Sequence, residues 1–160
     1  MVDREQLLES LPSNVCAEIG VDKGEFSELI LKITSPSKLH LIDARGDAAR
    51  YHDGLKLLLT ENFAAQIAQK RVEINVGLSP DVLSSFPDRY FDWVYLDTVH
   101  SYPVTAAERA LLKNKVKKDG IIAGHDYSMG NWVIGLRHRV IEAVHEVVFK
   151  PPCARHPKDL

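Results

Sequence analysis

The chain of 160 residues has little cysteine, no long apolar run and no marked excess of either charge. Its two cysteines, Cys16 and Cys153, are too few for a disulfide framework, and Cys16 lies within an apolar run, as expected of a core residue in a reducing compartment. The N-terminal segment MVDREQLLES lacks the basic and apolar parts of a signal peptide, and no run approaches the length of a membrane span. We therefore expect a cytoplasmic protein with no membrane partner.

The formal net charge of −2 gives no electrostatic reason to expect a nucleic-acid partner. There is no internal repeat and no low-complexity segment. With 45% hydrophobic and 26% charged residues, the composition is typical of one globular domain, which we predict over residues 1–150, followed by a tail at 151–160.

Short apolar runs alternate with helical patterns along the chain. The helical patterns include apolar positions at i, i+3, i+4 and i+7 from Phe26, and a Ser79-Pro80-Asp81 helix start. Apolar residues on both faces of the runs are typical of parallel strands covered on both sides. The sequence thus predicts a doubly wound, mostly parallel α/β sheet of the Rossmann-like kind with helices on both faces. The predicted strands are VCAEI (15–19), LHLID (39–43), VEINV (72–76), FDWVYLD (91–97), GIIAGH (120–125) and EVVF (146–149).

Doubly wound sheets bind ligands beyond the C-terminal ends of their strands. At the first of these ends the sequence reads VCAEIGVDKGEFS, with three residues between Gly20 and Gly24 and no third glycine, so neither the dinucleotide fingerprint nor a phosphate loop is present. Asp43 follows 23 residues after Gly20, at the end of the second strand, where an acid can accept both hydroxyls of a ribose. Glu18 can face an ammonium group. This combination suits adenosine with an amino-acid tail better than a dinucleotide.

Two further strand ends carry the sequences DTVHSY (97–102) and GHDY (124–127). With the glycine loop and the acid at Asp43, these motifs resemble the class I S-adenosylmethionine-dependent methyltransferases. Within that class the chain is most similar to the small-molecule O-methyltransferases, whose fourth strand ends in D-x-x-H-[ST]-Y and whose fifth ends in G-[GH]-D-[YF]. The resemblance extends from about Val15 to about Val144.

The resemblance implies a set of positions for S-adenosylmethionine. The glycine loop would line its methionine part, Asp43 would hold the ribose and Ala44 would flank the adenine. An acid often stands at the position of Leu78 to meet the adenine amino group, so here that contact would come from backbone or from Ser79. The implied cofactor-binding residues are Glu18, Gly20, Lys23, Gly24, Asp43, Ala44, Gly77, Leu78, Ser79 and Asp97.

The resemblance also implies roles in catalysis. Methyl transfer requires an aligned acceptor oxygen and a group that takes its proton, and histidine is a suitable base near neutral pH. His100 and His125 are the candidate bases. Asp97 and Asp126 are candidates to hold Mg²⁺, which would acidify the acceptor hydroxyl. In the magnesium-binding relatives another acid usually stands at the position of His125, and a neutral imidazole is a poor ligand for this ion.

Other interpretations of the same residues stay open at this point. The two glycines could serve only a tight turn, Asp43 could cap a helix, and His100 could support the loop after the fourth strand. His125 and Asp126 could form a strand-end turn. At the level of function, the alternatives are a catalytically degenerate module that binds S-adenosylmethionine or S-adenosylhomocysteine within a complex, and a nicotinamide-dependent oxidoreductase, which the missing third glycine disfavours.

The C-terminal part departs from the pattern of the resembling family, which usually adds an antiparallel seventh strand. Prolines at positions 151, 152 and 157 disfavour that strand, so we predict a sheet that lacks a full seventh strand. An uncovered sheet edge is a site of association, which favours a homodimer. We expect a small-molecule acceptor of unknown identity.

Overall fold

A computed structural model of the chain describes residues 4–44, 52–98, 102–124, 132–133 and 136–137. Helices and strands alternate through most of this length, as the apolar runs predict. The elements are α1 (Arg4–Glu9), β1 (Val15–Ile19), α2 (Glu25–Ile33), β2 (Lys38–Asp43), α3 (His52–Asn62), α4 (Ala64–Ala68), β3 (Val72–Val76), α5 (Ser79–Ser85), β4 (Phe91–Leu96), α6 (Tyr102–Lys115), β5 (Val116–Gly124), β6 (Trp132–Val133) and β7 (Leu136–Arg137).

The main sheet has five strands in the order β3-β2-β1-β4-β5, and all of its neighbouring pairs are parallel. β6 and β7 form a separate antiparallel pair. The strand order reverses at β1, which places the switch point, and hence the expected ligand crevice, between β1 and β4. The predicted α/β class with a doubly wound parallel sheet is confirmed.

Each face of the sheet carries its own hydrophobic cluster, because alternate residues of the central strands point to opposite sides. Cys16, Trp93 and Tyr95 pack with Phe26 and Ile30 of α2 on one face. The other cluster joins β1, β2 and β4 to α5 and α6; its buried members are Ala17, Ile19, Ile42, Leu83, Phe91, Val94, Leu112 and Val116. The helices therefore cover both faces.

Two boundaries differ from the predictions. The helical segment predicted at 55–70 is divided into α3 and α4 at Phe63, whose side chain is buried. The fifth strand begins at Val116 instead of Gly120, with a register shift opposite Phe91 and Trp93 that admits the polar residues KKD. Such a shift is a bulge, which period-two patterns do not predict.

The predicted sixth strand at 146–149, the missing seventh strand and the tail at 151–160 lie outside the described residues. None of the helices in the described ranges is long and apolar enough to cross a membrane.

Candidate functional site

The C-terminal ends of the central strands lie side by side and are joined by backbone hydrogen bonds. The Gly20 amide donates to the Ile42 carbonyl at 2.9 Å, and the Asp97 amide donates to the Ile19 carbonyl at 2.8 Å. The Gly77 amide likewise donates to the Asp43 carbonyl at 3.0 Å. Residues that are far apart in sequence, the glycine loop, Asp43, Gly77 and Asp97, thus meet at one edge of the sheet.

Position 20 requires a glycine because the backbone of Asp97 lies close to it. Its φ of +88° lies in the left-handed region, and a Cβ at this position would be 2.0 Å from the Asp97 carbonyl oxygen. No side chain can occupy that space, so the loop after β1 passes directly over the end of β4. The tight turn of the alternative interpretation lies just after Gly20, at 21–24, where the Gly24 amide donates to the Val21 carbonyl at 3.1 Å.

Gly24 meets protein side chains instead of backbone. It has a φ of +86° and precedes α2 as its N-cap, and an added Cβ would lie 2.8 Å from Leu59 Cδ2 and 3.1 Å from Phe63 Cε2. The second glycine therefore lets α3 and the α3–α4 junction pack against the start of α2. Packing accounts for the two glycines, and their part in cofactor binding stays a prediction.

Asp43 connects the second strand to the glycine loop. Its Oδ2 accepts hydrogen bonds from the backbone amides of Val21, at 2.8 Å, and Asp22, at 3.2 Å. A carboxylate that accepts two backbone amides fixes the loop that carries them. Val21 and Asp22 precede Gly24, the N-cap of α2, so these bonds do not form the helix cap of the alternative interpretation, and the predicted bond of Asp43 to ribose stays a prediction.

Glu18 is buried, with 1% of its surface exposed. Its Oε2 accepts a hydrogen bond of 2.5 Å from the Ser27 hydroxyl in the first turns of α2. The side chain that could face an ammonium group is therefore held between β1 and α2, two residues before Gly20.

The remaining predicted cofactor residues differ in exposure. Lys23 is exposed, Ala44 is half-buried, and Leu78 leaves 58% of its surface exposed at the start of α5. A groove of about 390 Å³ opens along the β3–α5 connection; its lining residues are Asn75, Val76, Gly77, Leu78, Asp81, Val82 and Ser85. The predicted adenine end of the site therefore includes an exposed apolar side chain beside open space.

The Ser79 hydroxyl, one of the two expected partners of the adenine amino group, is bonded within the protein. It is buried, and its hydroxyl donates a hydrogen bond to Glu108 Oε1 on α6. The other carboxylate oxygen of Glu108 accepts a bond of 2.9 Å from the Thr98 hydroxyl, one residue after Asp97. Glu108 is completely buried, and this burial raises the pKa of its carboxyl, although the two hydroxyl bonds act in the opposite direction.

Glu108 is the site residue that sequence reasoning missed. The signal was present in the periodicity of α6, where Thr105, Glu108 and Leu112 occupy positions i, i+3 and i+7 and all three are buried. A glutamate on the apolar stripe of a helix indicates a buried polar contact.

His100, His125 and Asp126, three of the four predicted catalytic residues, lie outside the described residues. Asp97 is described, half-buried at the end of β4. Within the described part of the chain, no group of three or more histidine, cysteine, aspartate or glutamate side chains could hold a metal ion. The pairing of Asp97 with Asp126 around Mg²⁺ stays a prediction.

Residues 17–127 match a protein family described as "Methyltransferase domain". This range begins within β1, includes β2 to β5 and contains all of the described strand ends discussed above. A search of curated proteins gives no significant match.

Solved structures share the fold at low sequence identity. The precorrin 8W decarboxylase of Methanobacterium thermoautotrophicum aligns with a TM-score of 0.61 and 15% identity over 90% of this chain and 68% of that one. The pyocyanin biosynthetic protein PhzM gives 0.57 and 18%, over 87% and 44%. The spermidine synthase of Thermotoga maritima gives 0.52 and 18%, over 78% and 42%. The chain spans only about two fifths of the length of the spermidine synthases it matches, at 38% and 42%.

Proposed function

The chain belongs to the methyltransferase-domain family, and we propose that it transfers a methyl group from S-adenosylmethionine to a hydroxyl oxygen of a small-molecule acceptor. The observation that carries the proposal is the crossing of the Gly20 loop over the end of β4, with Asp43 holding that loop at the switch point of the sheet. This is where a doubly wound sheet binds its ligand.

The residues at this edge fit the cofactor. The backbone of the glycine loop would line the methionine part, and Asp43 would hold the ribose. Leu78 would offer its exposed apolar side chain to the adenine, because aromatic bases pack well on such surfaces. With the Ser79 hydroxyl donating to Glu108, backbone groups near Gly77 would supply the polar contacts to the adenine.

When bound, S-adenosylmethionine supplies an electrophilic methyl group: a C–O bond forms to the acceptor, the C–S bond breaks with its electron pair returning to sulfur, and the acceptor proton leaves. The chain's own part is to orient the acceptor and take that proton. We assign the proton to His100 or His125 and the closing of the pocket to Asp97. Asp97 and Asp126 are the residues that would hold Mg²⁺, if the acceptor hydroxyl is acidified by a metal.

Calorimetric titration with S-adenosylmethionine and S-adenosylhomocysteine, each with and without Mg²⁺, tests this function. We expect micromolar binding of both, with no competition from NAD. A stronger affinity in Mg²⁺ would support the metal ligands. A folded protein that binds neither compound would refute the cofactor assignment, and binding without transfer to any hydroxylated acceptor would favour a non-catalytic binding module.

Two variants of Asp43 separate its contacts. Asp43→Ala removes the acceptor of both loop amides and should weaken cofactor binding by about 1–3 kcal/mol. Asp43→Asn keeps one oxygen for the loop amides but loses the charge and the full ability to accept two ribose hydroxyls. If the acid holds the ribose, both variants bind more weakly; if it only fixes the loop, Asp43→Asn binds as the natural protein does.

A homodimer in the cytoplasm completes the proposal. β5 is an edge strand of the described sheet, and Ile121 and Ile122 on it each leave 40% of their surface exposed. Exposed apolar residues on an edge strand favour association. Light scattering at working concentration tests this; a monomer would contradict it.

A further inference from the structure

Glu108 links two loops of the proposed site that come from strands far apart in the sheet. Ser79 follows the end of β3, at one edge, and Thr98 follows the end of β4, on the other side of β1 and β2. Both hydroxyls donate to the same carboxylate, one to each oxygen. The side chain of Glu108 is therefore a bridge between the β3–α5 connection and the segment after β4.

Burying the Glu108 carboxylate lowers the free energy of unfolding. A buried carboxylate loses its hydration, and two neutral hydroxyls replace it only in part. An apolar residue at this position would continue the stripe formed by Thr105 and Leu112 without that loss. The glutamate is therefore better explained by its fixing of the two loops relative to each other than by a contribution to the free energy of unfolding.

We propose that Glu108 is a positioning residue, which fixes the loops after β3 and β4 relative to each other and thereby sets the affinity for the cofactor. The inference rests on the proposed function, because those loops would hold the adenine and close the pocket at Asp97. Glu108 itself is completely buried and acts through Ser79 and Thr98.

The test compares three variants by two readouts. Glu108→Met keeps the length of the side chain but removes its acceptor oxygens. Glu108→Gln keeps both bonds, because its amide can accept from one hydroxyl and donate to the other. Thr34→Val is the matched control: it removes a buried hydroxyl, which donates to the Ile30 carbonyl at 2.8 Å, at the end of α2 and far along the chain from both loops.

The first readout is hydrogen–deuterium exchange of the backbone amides at 77–82 and 96–98 in the protein without cofactor. We expect faster exchange in both segments for Glu108→Met and unchanged exchange for Glu108→Gln and Thr34→Val. Unchanged exchange in Glu108→Met would overturn the proposed link between the loops.

The second readout is the Kd for S-adenosylhomocysteine. Glu108→Met should raise it by roughly tenfold, because the two freed loops must then be ordered when the ligand binds, and Glu108→Gln should restore it to within about threefold. An unchanged Kd in Glu108→Met, or an equal increase in Thr34→Val at the same loss of thermal stability, would overturn the positioning role.

If Glu108→Met does not fold, Ser79→Ala and Thr98→Val each remove one bond, and each should raise the Kd. Combining Ser79→Ala with Thr98→Val should raise the Kd by less than the two separate effects together, because the loss of either bond already breaks the bridge; additive effects would count against the bridge. If the natural protein fails to bind S-adenosylhomocysteine, the proposed function fails, and the exchange measurements alone decide whether Glu108 holds the two loops.

Discussion

The parallel sheet has an N-terminal edge and a C-terminal edge, formed by the two ends of its strands, and the carboxylates at these two edges have different partners. At the N-terminal edge, acids pair with lysines near the surface, at N–O distances between 2.7 and 2.9 Å. At the C-terminal edge, acids accept bonds from hydroxyls and backbone amides. The lysine pairs are Lys38–Glu73, Lys115–Asp88 and Lys117–Asp92; the C-terminal acids are Glu18 with Ser27, Asp43 with the amides of Val21 and Asp22, and Glu108 with Ser79 and Thr98.

The acids at the N-terminal edge stabilise the surface through ion pairs, whereas those at the C-terminal edge fix the loops of the candidate site. Exposed ion pairs contribute about 0–1 kcal/mol each and tolerate replacement. Buried carboxylates bonded to neutral groups are expensive to keep, and such groups concentrate at functional sites. The comparison predicts large effects on loop geometry at the C-terminal edge and small effects on stability at the N-terminal edge.

The largest effect should come from Gly20→Ala. The new Cβ would lie 2.0 Å from the Asp97 carbonyl oxygen, a backbone atom that cannot rotate away. The positive φ adds its own cost, so we expect a loss of at least about 3 kcal/mol in the free energy of unfolding, measured by urea denaturation.

Gly24→Ala is the matched control, since its φ is nearly the same but the nearest atom is the end of the Leu59 side chain. It should lose about 1–2 kcal/mol, mainly from backbone strain. Equal losses in the two variants would show that the loop does not press on the end of β4.

The next effect concerns His40, which is buried in β2 with its Nε2 3.1 Å from the Tyr90 hydroxyl. Burial, together with Lys38 and against the attraction of Glu73, lowers the pKa of His40 to about 4 from 6.5. Between these values the unfolded chain binds more protons than the folded one, so stability falls as the pH drops from 6.5 to 4. The loss attributable to His40 is at most about 3 kcal/mol.

His40→Gln removes this titration. Urea denaturation of both proteins at pH 7, 5.5 and 4.5 should show the natural protein losing more stability than the variant over this interval. Parallel losses would mean that His40 does not remain neutral in the folded state.

Sequence patterns predicted the sheet well because they depend on local chemistry. The apolar runs gave β1 to β4 within one residue at each end, and Ser79-Pro80-Asp81 marked the start of α5. The start of β5 was wrong because a bulge brings polar residues into the strand. Which strand ends gather at one edge also followed, because parallel strands share an orientation.

The contacts within the site could not be predicted to the same extent. Glu108 lies 29 residues from Ser79, and only packing of α6 against α5 brings the pair together. The sequence could not show that Ser79 donates to this partner, nor that Gly24 makes room for Leu59. Such contacts depend on tertiary neighbours that a single sequence does not identify.

A smaller, pH-dependent effect distinguishes Glu108 from the surface acids. Its pKa is raised by burial, so the folded state favours the protonated form, and stability is lost as the pH rises through the folded pKa. Glu108→Gln cannot titrate. The difference in Tm, variant minus natural protein, should therefore become more positive from pH 5 to pH 8, while the contributions of His40 and other groups cancel. A difference that falls with rising pH would contradict the raised pKa.

The smallest effect should come from the N-terminal edge. Lys117 Nζ lies 2.8 Å from Asp92 Oδ1, and Asp92 also accepts the Val15 amide at 3.0 Å. Burial acts to raise the pKa of Asp92, but these bonds outweigh it and hold the pKa below its ordinary value. Because the Val15 bond persists when the lysine is removed, Lys117→Met should cost less than about 1 kcal/mol at pH 7 and less still in high salt.

Lys118→Met is the matched control, because it removes the same charge from the neighbouring exposed position on β5. The difference between the two variants in urea denaturation isolates the ion pair from the change in net charge. If Lys117→Met lost as much stability as Gly20→Ala, the N-terminal edge would be as tightly constrained as the C-terminal one. The contrast between the two edges would then fail, because a surface ion pair would contribute as much to stability as the close backbone approach at Gly20.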